Sequence, residues 1–589
     1  MLRKARPISM LRALLLGAIL ATAPLAAGGC TDPNDPMTFV DEMKDPAKQP
    51  QAVKRLKQFY EDAMTKDKKD RAGAHVKPLL DKIAEPLTKA CVEVDLQPRV
   101  RTELIALISD FRDARTEACL KKALEDYKPD TGEDDVRNVM RAVTAMKAKS
   151  LAPQVMKVFT TIKFSNPKVK LIGKDVTAAV LAIADKPQED EFIAMLDHPI
   201  DPANEANVHD EAFWQTVAVR ALGDMKSEKA VRPLIKLVLT PKKAPVRNTA
   251  LVALVKIGKA AVKPTEAVLK GEDKEIVEYA QKEQLAVAEK DKDGKIPAAA
   301  QKQAEKAHIS TAAEILGALG AESSVAPLLS ARASADDAGK VVLAMVLPLL
   351  PKTNDTLEAY KTTYDEAKMD LDVPGVGGAK ELLADGSGDF FDASLVPWLV
   401  DSSTKLKGEQ ADVDAIRGYA LQAAIKLMKA DQVAEVEKLY NLDAQGTDAA
   451  GKQTKTVVGK AFESEFKQAK ELVSNCKDDV GCYHAKLTDE KTQGKDAQFT
   501  GIKAAYMIGI LGGDADRKKL VDDMPKITNG SVRMAALKAL QALAPKGDNA
   551  AADQLTAYLD KAEEAKDDNL VQSYQVFTQV AARLRARAQ

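Results

Sequence analysis

Five cysteines and five histidines are the residues with most chemistry to offer in this chain of 589. His75, His198, His209, His308 and His484 are scattered, and no two stand at the spacing with which a helix or short loop presents paired imidazoles to a metal ion. His198 and His209-Asp210-Glu211 bracket a proline-containing loop that is able to face a cation, although a solvated link between helices accounts for the same residues. Acids alternate at Glu289, Asp291 and Asp293 ahead of Gly294, which makes the first half of a calcium-binding loop. The bidentate acid that should close such a loop falls on Ala300, so the calcium candidate lacks its strongest ligand and an ordinary glycine turn is expected. Gly375, Gly377 and Gly378 precede a helical stretch, but no strand comes before them and no Lys-Ser pair follows, so they read as a loop rather than a phosphate cradle. Nucleophile elbows, paired-histidine zinc motifs and Cys-x-x-Cys are missing from the sequence. No catalytic residue, metal ligand set or cofactor is therefore assigned.

The N-terminus carries a different chemistry. Arg3, Lys4, Arg6 and Arg12 form a positive start with no acid before Cys30, an apolar run follows from Ala13 to Ala27, and it ends in small residues up to Gly29. That order is an export signal, too short and too broken by Gly17 and Pro24 to be a spanning helix. Residues 27–30, Ala-Gly-Gly-Cys, resemble the lipobox of bacterial lipoproteins, with Ala27 where that family usually has Leu. The resemblance implies removal of residues 1–29 and acylation of the Cys30 thiol, with fatty-acyl chains such as palmitate as the membrane anchor. Residues 30–50 then form a polar, proline-broken tether. Thr31 replaces the Asp that would retain such a protein at the inner membrane, which favours the outer membrane of a Gram-negative envelope. In that compartment disulfides form. The four remaining cysteines are an even set: Cys476 and Cys482 flank a short polar link, and Cys91 and Cys119 lie 28 residues apart, about one repeat, where a bridge or two buried thiols are both open.

The elements that would carry these residues are helices. Five segments align on a β-branched residue at Val100, Val176, Val246, Ile416 and Val532, each followed by apolar residues at +4, +5, +7 and +8. This spacing lays one apolar stripe along a helix. Asp135-Val136-Arg137 opens a looser copy. A second signature follows: Leu222-Gly223-x-Met225 leads to Val231-Arg232-Pro233-Leu234, and Leu316-Gly317-x-Leu319 leads to Val325-Ala326-Pro327-Leu328. Ile508-Gly509-x-Leu511 repeats its first half. The glycine should let a neighbouring helix approach, Gly320 and Gly512 should take left-handed caps, and the prolines should sit in the first turn of the second helix.

These signatures resemble the HEAT-repeat family, especially its short bacterial form, most clearly over 211–270, 305–350 and 500–560. The fold expected is all-α, an α-solenoid of HEAT-like antiparallel helix pairs. Repeats are expected over 51–364 and 401–589, with an irregular, loop-rich insertion at 365–400 between them. Aromatics at 4% suit stacked Ala-, Leu- and Val-rich helices better than one large core.

Without the four N-terminal cations, 82 basic residues stand against 87 acidic ones, which gives no electrostatic reason to expect nucleic acid. No small-molecule substrate is identified. The function expected is that of a membrane-anchored extracytoplasmic scaffold, non-catalytic, which binds envelope proteins through its helical surface. Lys236, Lys242, Lys243 and Lys270 are candidates for contact with an acidic partner, although a merely solvated face accounts better for the same residues. The alternative is an enzyme or enzyme subunit related to the HEAT-like lyases, a weaker inference because one fold hosts many tasks.

Overall fold

The computed structural model describes residues 32–129, 131–373, 376–447, 453–564 and 574–588. The segment expected to be an export signal, and Cys30, lie outside the described residues. The protein is all-α: among the described residues the only sheets are two antiparallel strand pairs, Asp372–Val373 with Gly377–Gly378 and Asp443–Thr447 with Gln453–Val457. The chain forms two compact units, one of residues 1–126 with 134–146 and one of 127–133 with 147–589. This division does not fall at 365–400. That segment instead contributes helix Ala379–Gly386 and the start of helix Leu395–Thr404, both packed on helix Gln410–Leu427. Its glycines, which suggested irregular chain, serve a tight strand pair (Gly377, Gly378) and a helix end (Gly386).

The first unit is built from helices Gln49–Lys66, Val76–Glu93, Pro98–Phe111, Glu117–Glu125 and most of Glu133–Met146. The stripe expected from Val100 is inside: Val100, Leu104, Ile105, Leu107 and Ile108 are all buried. Gln49, also buried, ties two loops together by donating from Nε2 to the carbonyls of Met43 and Asp95 while its Oε1 accepts from Gln97 N.

In the second unit the same stripes recur. Val246, Ala250, Ala253 and Leu254 are buried on helix Ala244–Ile257, and Val532, Ala536, Leu537, Ala539 and Leu540 on helix Gly530–Leu543. The signature glycines lie where another element comes close. A Cβ on Gly223 would come 2.9 Å from the Ala253 Cα, one on Gly317 2.9 Å from the Val346 Cβ, and one on Gly509 3.2 Å from the Ala539 Cα. Gly320 caps its helix in the left-handed conformation at φ +66°. Gly512 does not: it is extended at φ −74°, and Gly513 after it opens helix Asp514–Asp523 as its N-cap. Pro233 and Pro327 occupy the first turns of helices Val231–Leu239 and Val325–Ser334, where a missing N–H leaves no bond unmade.

The contacts of the second unit are not confined to neighbours in sequence. Helix Tyr574–Arg587 packs on helix Asn549–Glu564 beside it, and also on helices Ala244–Ile257 and Ala298–Leu319.

Candidate binding site

The four described cysteines are paired. Cys91 and Cys119 join helices Val76–Glu93 and Glu117–Glu125 at a Cα separation of 5.7 Å, and Cys476 and Cys482 close the link between helices Glu463–Cys476 and Val480–Leu487 at 5.5 Å. Both lie within the range a disulfide spans.

The calcium candidate is a turn. The Asp291 carboxylate accepts from the backbone N–H groups of Asp293 and Lys295, at 2.9 and 2.8 Å, and Gly294 sits at φ +74°. Glu289, Asp291 and Asp293 are exposed, and no group of three or more metal-ligating side chains comes together among the described residues. The loop at His198 is held by ordinary contacts: its Nδ1 lies 3.4 Å from a Glu211 oxygen, and its carbonyl accepts from Gln215. Asp210 accepts from the backbone and hydroxyl of Ser165.

What the sequence did not flag is a set of cations inside the protein. Lys243, expected on the surface, is buried and donates to the Leu196 carbonyl. Lys380 donates to the Tyr364 carbonyl, and fully buried Lys503 donates to the carbonyls of Lys426 and Met428 at 2.8 and 2.6 Å. Arg533 gives Nε and Nη2 to the Ile527 carbonyl. Each acceptor lies at or just past the C-terminal end of a helix or 3-10 turn, where carbonyls have no partner further along the chain. Buried ammonium and guanidinium groups supply the missing donors and meet the negative end of the helix dipole. Burial lowers the pKa of Lys243 and Lys380 and pulls Lys503 well below its ordinary value.

A second buried cluster contains a histidine. His484 Nδ1 lies 3.1 Å from Asp523, both side chains almost fully enclosed, while Lys519 and Lys526 bind the same carboxylate at 3.2 and 2.8 Å. Burial lowers the His484 pKa despite the Asp523 bond. Burial pushes the Asp523 carboxyl upward, but the bonds from Lys526 and Lys519 outweigh it and hold it low.

A further gathering of charge lines a cavity of about 400 Å3 at the contact made by the last helix. Lys352, Lys538, Arg583, Arg587 and Asp389 lie in its wall with Leu349, Phe390, Phe391, Met534 and Val580. Lys538 is paired with Asp389 at 2.7 and 2.9 Å, and Lys352 with Asp392 at 3.1 Å. Arg583 donates Nε to the Ala318 carbonyl at 2.8 Å and Nη1 to the Gln541 side chain. Arg587 reaches the carbonyls of Gln541, Ala544 and Leu349 and lies against Gly320, where a Cβ would collide with its guanidinium. Burial lowers both arginines, Arg583 to about 10 and Arg587 to about 9, the second helped down by the charge of the first, so both remain cations at neutral pH. Phe391 holds a left-handed backbone at φ +50°, uncommon for a bulky residue, and stacks on Tyr506 with ring centroids 4.6 Å apart.

Among known proteins, no family model and no curated protein matches this chain. The chain is similar to one solved engineered protein at 16% identity, over 87% of this chain and 99% of that one, with a TM-score of 0.21.

Proposed function

We propose that this chain is a lipid-anchored extracytoplasmic scaffold, HEAT-like in its repeats, that binds other envelope proteins and catalyses no reaction. The observation that carries this reading is the use made of the ionisable groups taken inside. Lys243, Lys380, Lys503 and Arg533 donate to backbone carbonyls at helix ends, and two disulfides tie helices together, so the interior chemistry serves rigidity. A stiff helical surface loses little conformational freedom when a partner docks. The lipobox-like segment ending at Cys30 and the polar tether would hold that surface at a membrane, where a captured partner gains effective concentration.

The test has two arms. Cys30→Ala should leave an uncleaved or soluble precursor, and mass spectrometry of the wild-type N-terminus should find an acylated Cys30. A mature chain that begins elsewhere, or an unmodified Cys30, defeats the anchoring part. For the binding part, proximity labelling from the anchored protein identifies the partner. Charge reversal at exposed Lys242 and Lys270 and at Lys236, which is paired with Glu275 at 2.5 Å, should then weaken its capture while helical content stays unchanged. Lys243 is left out, because reversing a buried cap would unfold rather than inform. Undiminished capture by the reversed surface rejects that face, and turnover of any substrate by the purified protein rejects the scaffold reading.

A further inference from the structure

The composition of the cavity under the last helix is unlike that of an apolar void. Its two lysines are neutralised by Asp389 and Asp392. Its two arginines meet only neutral oxygens among the described residues. Two α-helix ends, those of Ala298–Leu319 and Gly530–Leu543, offer these guanidiniums about half a negative charge each. That falls short of two full positive charges, so the cavity is left electropositive. Arg583 spends Nε and Nη1 on protein acceptors and has no partner for Nη2 among the described residues. Lys352 and Lys538, with 45% and 42% of their side chains exposed, mark the side open to water. Beside the charges, Phe390, Phe391, Met534 and Val580 give the lining an apolar and aromatic part. The volume is within the range of small-molecule sites, which combine apolar walls with a few polar groups that fix orientation. The left-handed Phe391 backbone, held where the absent side chain of Gly509 leaves room for its ring, adds the kind of local strain that clusters at binding sites.

We infer that this cavity binds a small organic anion, its carboxylate or phosphate held by Arg583 and Lys538 and its apolar or aromatic body laid against Phe391, Met534 and Val580. The site is independent of the scaffold reading, and either can fail without the other.

Isothermal titration of the full chain with benzoate and with phenyl phosphate tests it, with benzyl alcohol and benzylammonium as neutral and cationic controls. An anionic probe should bind, and more weakly as salt is raised, while both controls bind at least tenfold more weakly. Tighter binding of benzoate assigns a carboxylate ligand; tighter binding of phenyl phosphate assigns a phosphate monoester, such as a lipid headgroup. Arg583→Gln and Lys538→Gln should each weaken the better anion tenfold or more. Arg583 also caps a helix, so Met534→Trp provides a second route: it fills the cavity, leaves every cap in place, and should abolish binding with unchanged circular dichroism. Equal affinity for benzyl alcohol, no heat with either anion, or full binding by Met534→Trp would overturn the inference.

Discussion

Replacing Gly223 by Ala isolates what the repeat signature does. The new Cβ would stand 2.9 Å from both the Cα and the Cβ of Ala253 on the facing helix, closer than real contacts come. Because one of those atoms is backbone, relief requires the helices to part rather than a side chain to rotate. Two effects compete. Alanine is the better helix former in the interior of Glu205–Asp224, worth about 1 kcal/mol. Overpacking a tight interface costs about 1–3 kcal/mol. The cost should win, for a net loss of up to about 2 kcal/mol. Gly530→Ala is the internal control: it opens helix Gly530–Leu543, and nothing lies within 4 Å of its added Cβ. There the reduced freedom of the unfolded chain should stabilise by about 0.4–1 kcal/mol. Urea unfolding followed by circular dichroism should move the midpoint down for Gly223→Ala and up for Gly530→Ala, with the slope unchanged. If Gly223→Ala unfolds at the wild-type urea concentration or above, the glycine is not the contact residue that the repeat requires.

Three further outcomes follow from the same structure. The four described cysteines should resist alkylation until a reductant is added, and chain entropy over separations of 28 and 6 residues makes the Cys91–Cys119 bridge worth about 3.6 kcal/mol and Cys476–Cys482 about 2.2 kcal/mol; alkylation of all four thiols without reductant refutes both. His484 titrates below its unfolded value of 6.5, so from 6.5 down to that lowered value the unfolded chain binds the extra proton and stability falls as the solution is acidified. His484→Gln should flatten that part of the stability profile, and an unchanged profile would show that the histidine is not sequestered. Lys503 is also lowered, so stability should rise with pH from its folded value toward 10.5. Lys503→Met should remove that rise and leave two helix-end carbonyls unpaired, at about 1–3 kcal/mol each, partly offset because no ammonium is then buried; a mutant with the wild-type alkaline profile would place the charge elsewhere.

The helical stripes and the glycine contacts were legible because both are local. A stripe repeats every few residues, and a glycine one or two residues before a helix end says that something comes close there. Gly223, Gly317 and Gly509 met that expectation, and Gly320 took the expected cap. Gly512 has similar sequence surroundings but a different exit: it is extended, and Gly513 caps helix Asp514–Asp523 with its N–H bonded to the Asp516 carboxylate.

The cavity was illegible for a different reason. Its decisive contact, Arg583 to the Ala318 carbonyl, joins residues 265 apart, and a periodicity read along the chain carries no trace of such a pairing. The buried cations were missed by a fair rule applied to the wrong residues, since lysine and arginine are almost always solvated. One local signal did exist. Lys503 stands in Phe499-Thr-Gly-Ile-Lys-Ala-Ala-Tyr-Met507, a stretch so apolar that a lysine within it has little water to reach. The arginine after four of the five aligned β-branched residues was a second. Arg417 donates to the Ser403 carbonyl at 3.1 Å and Arg533 to that of Ile527 at 2.9 Å, each capping the element just before its own helix. Arg247 instead pairs with Glu314, and Arg101 with Asp126 at 2.9 Å. The position therefore places the cation at a seam between elements, while the local supply of carbonyls or carboxylates decides what it binds. Arg583 and Arg587 extend that device to elements much further apart in sequence, and a cavity opens beside the cap.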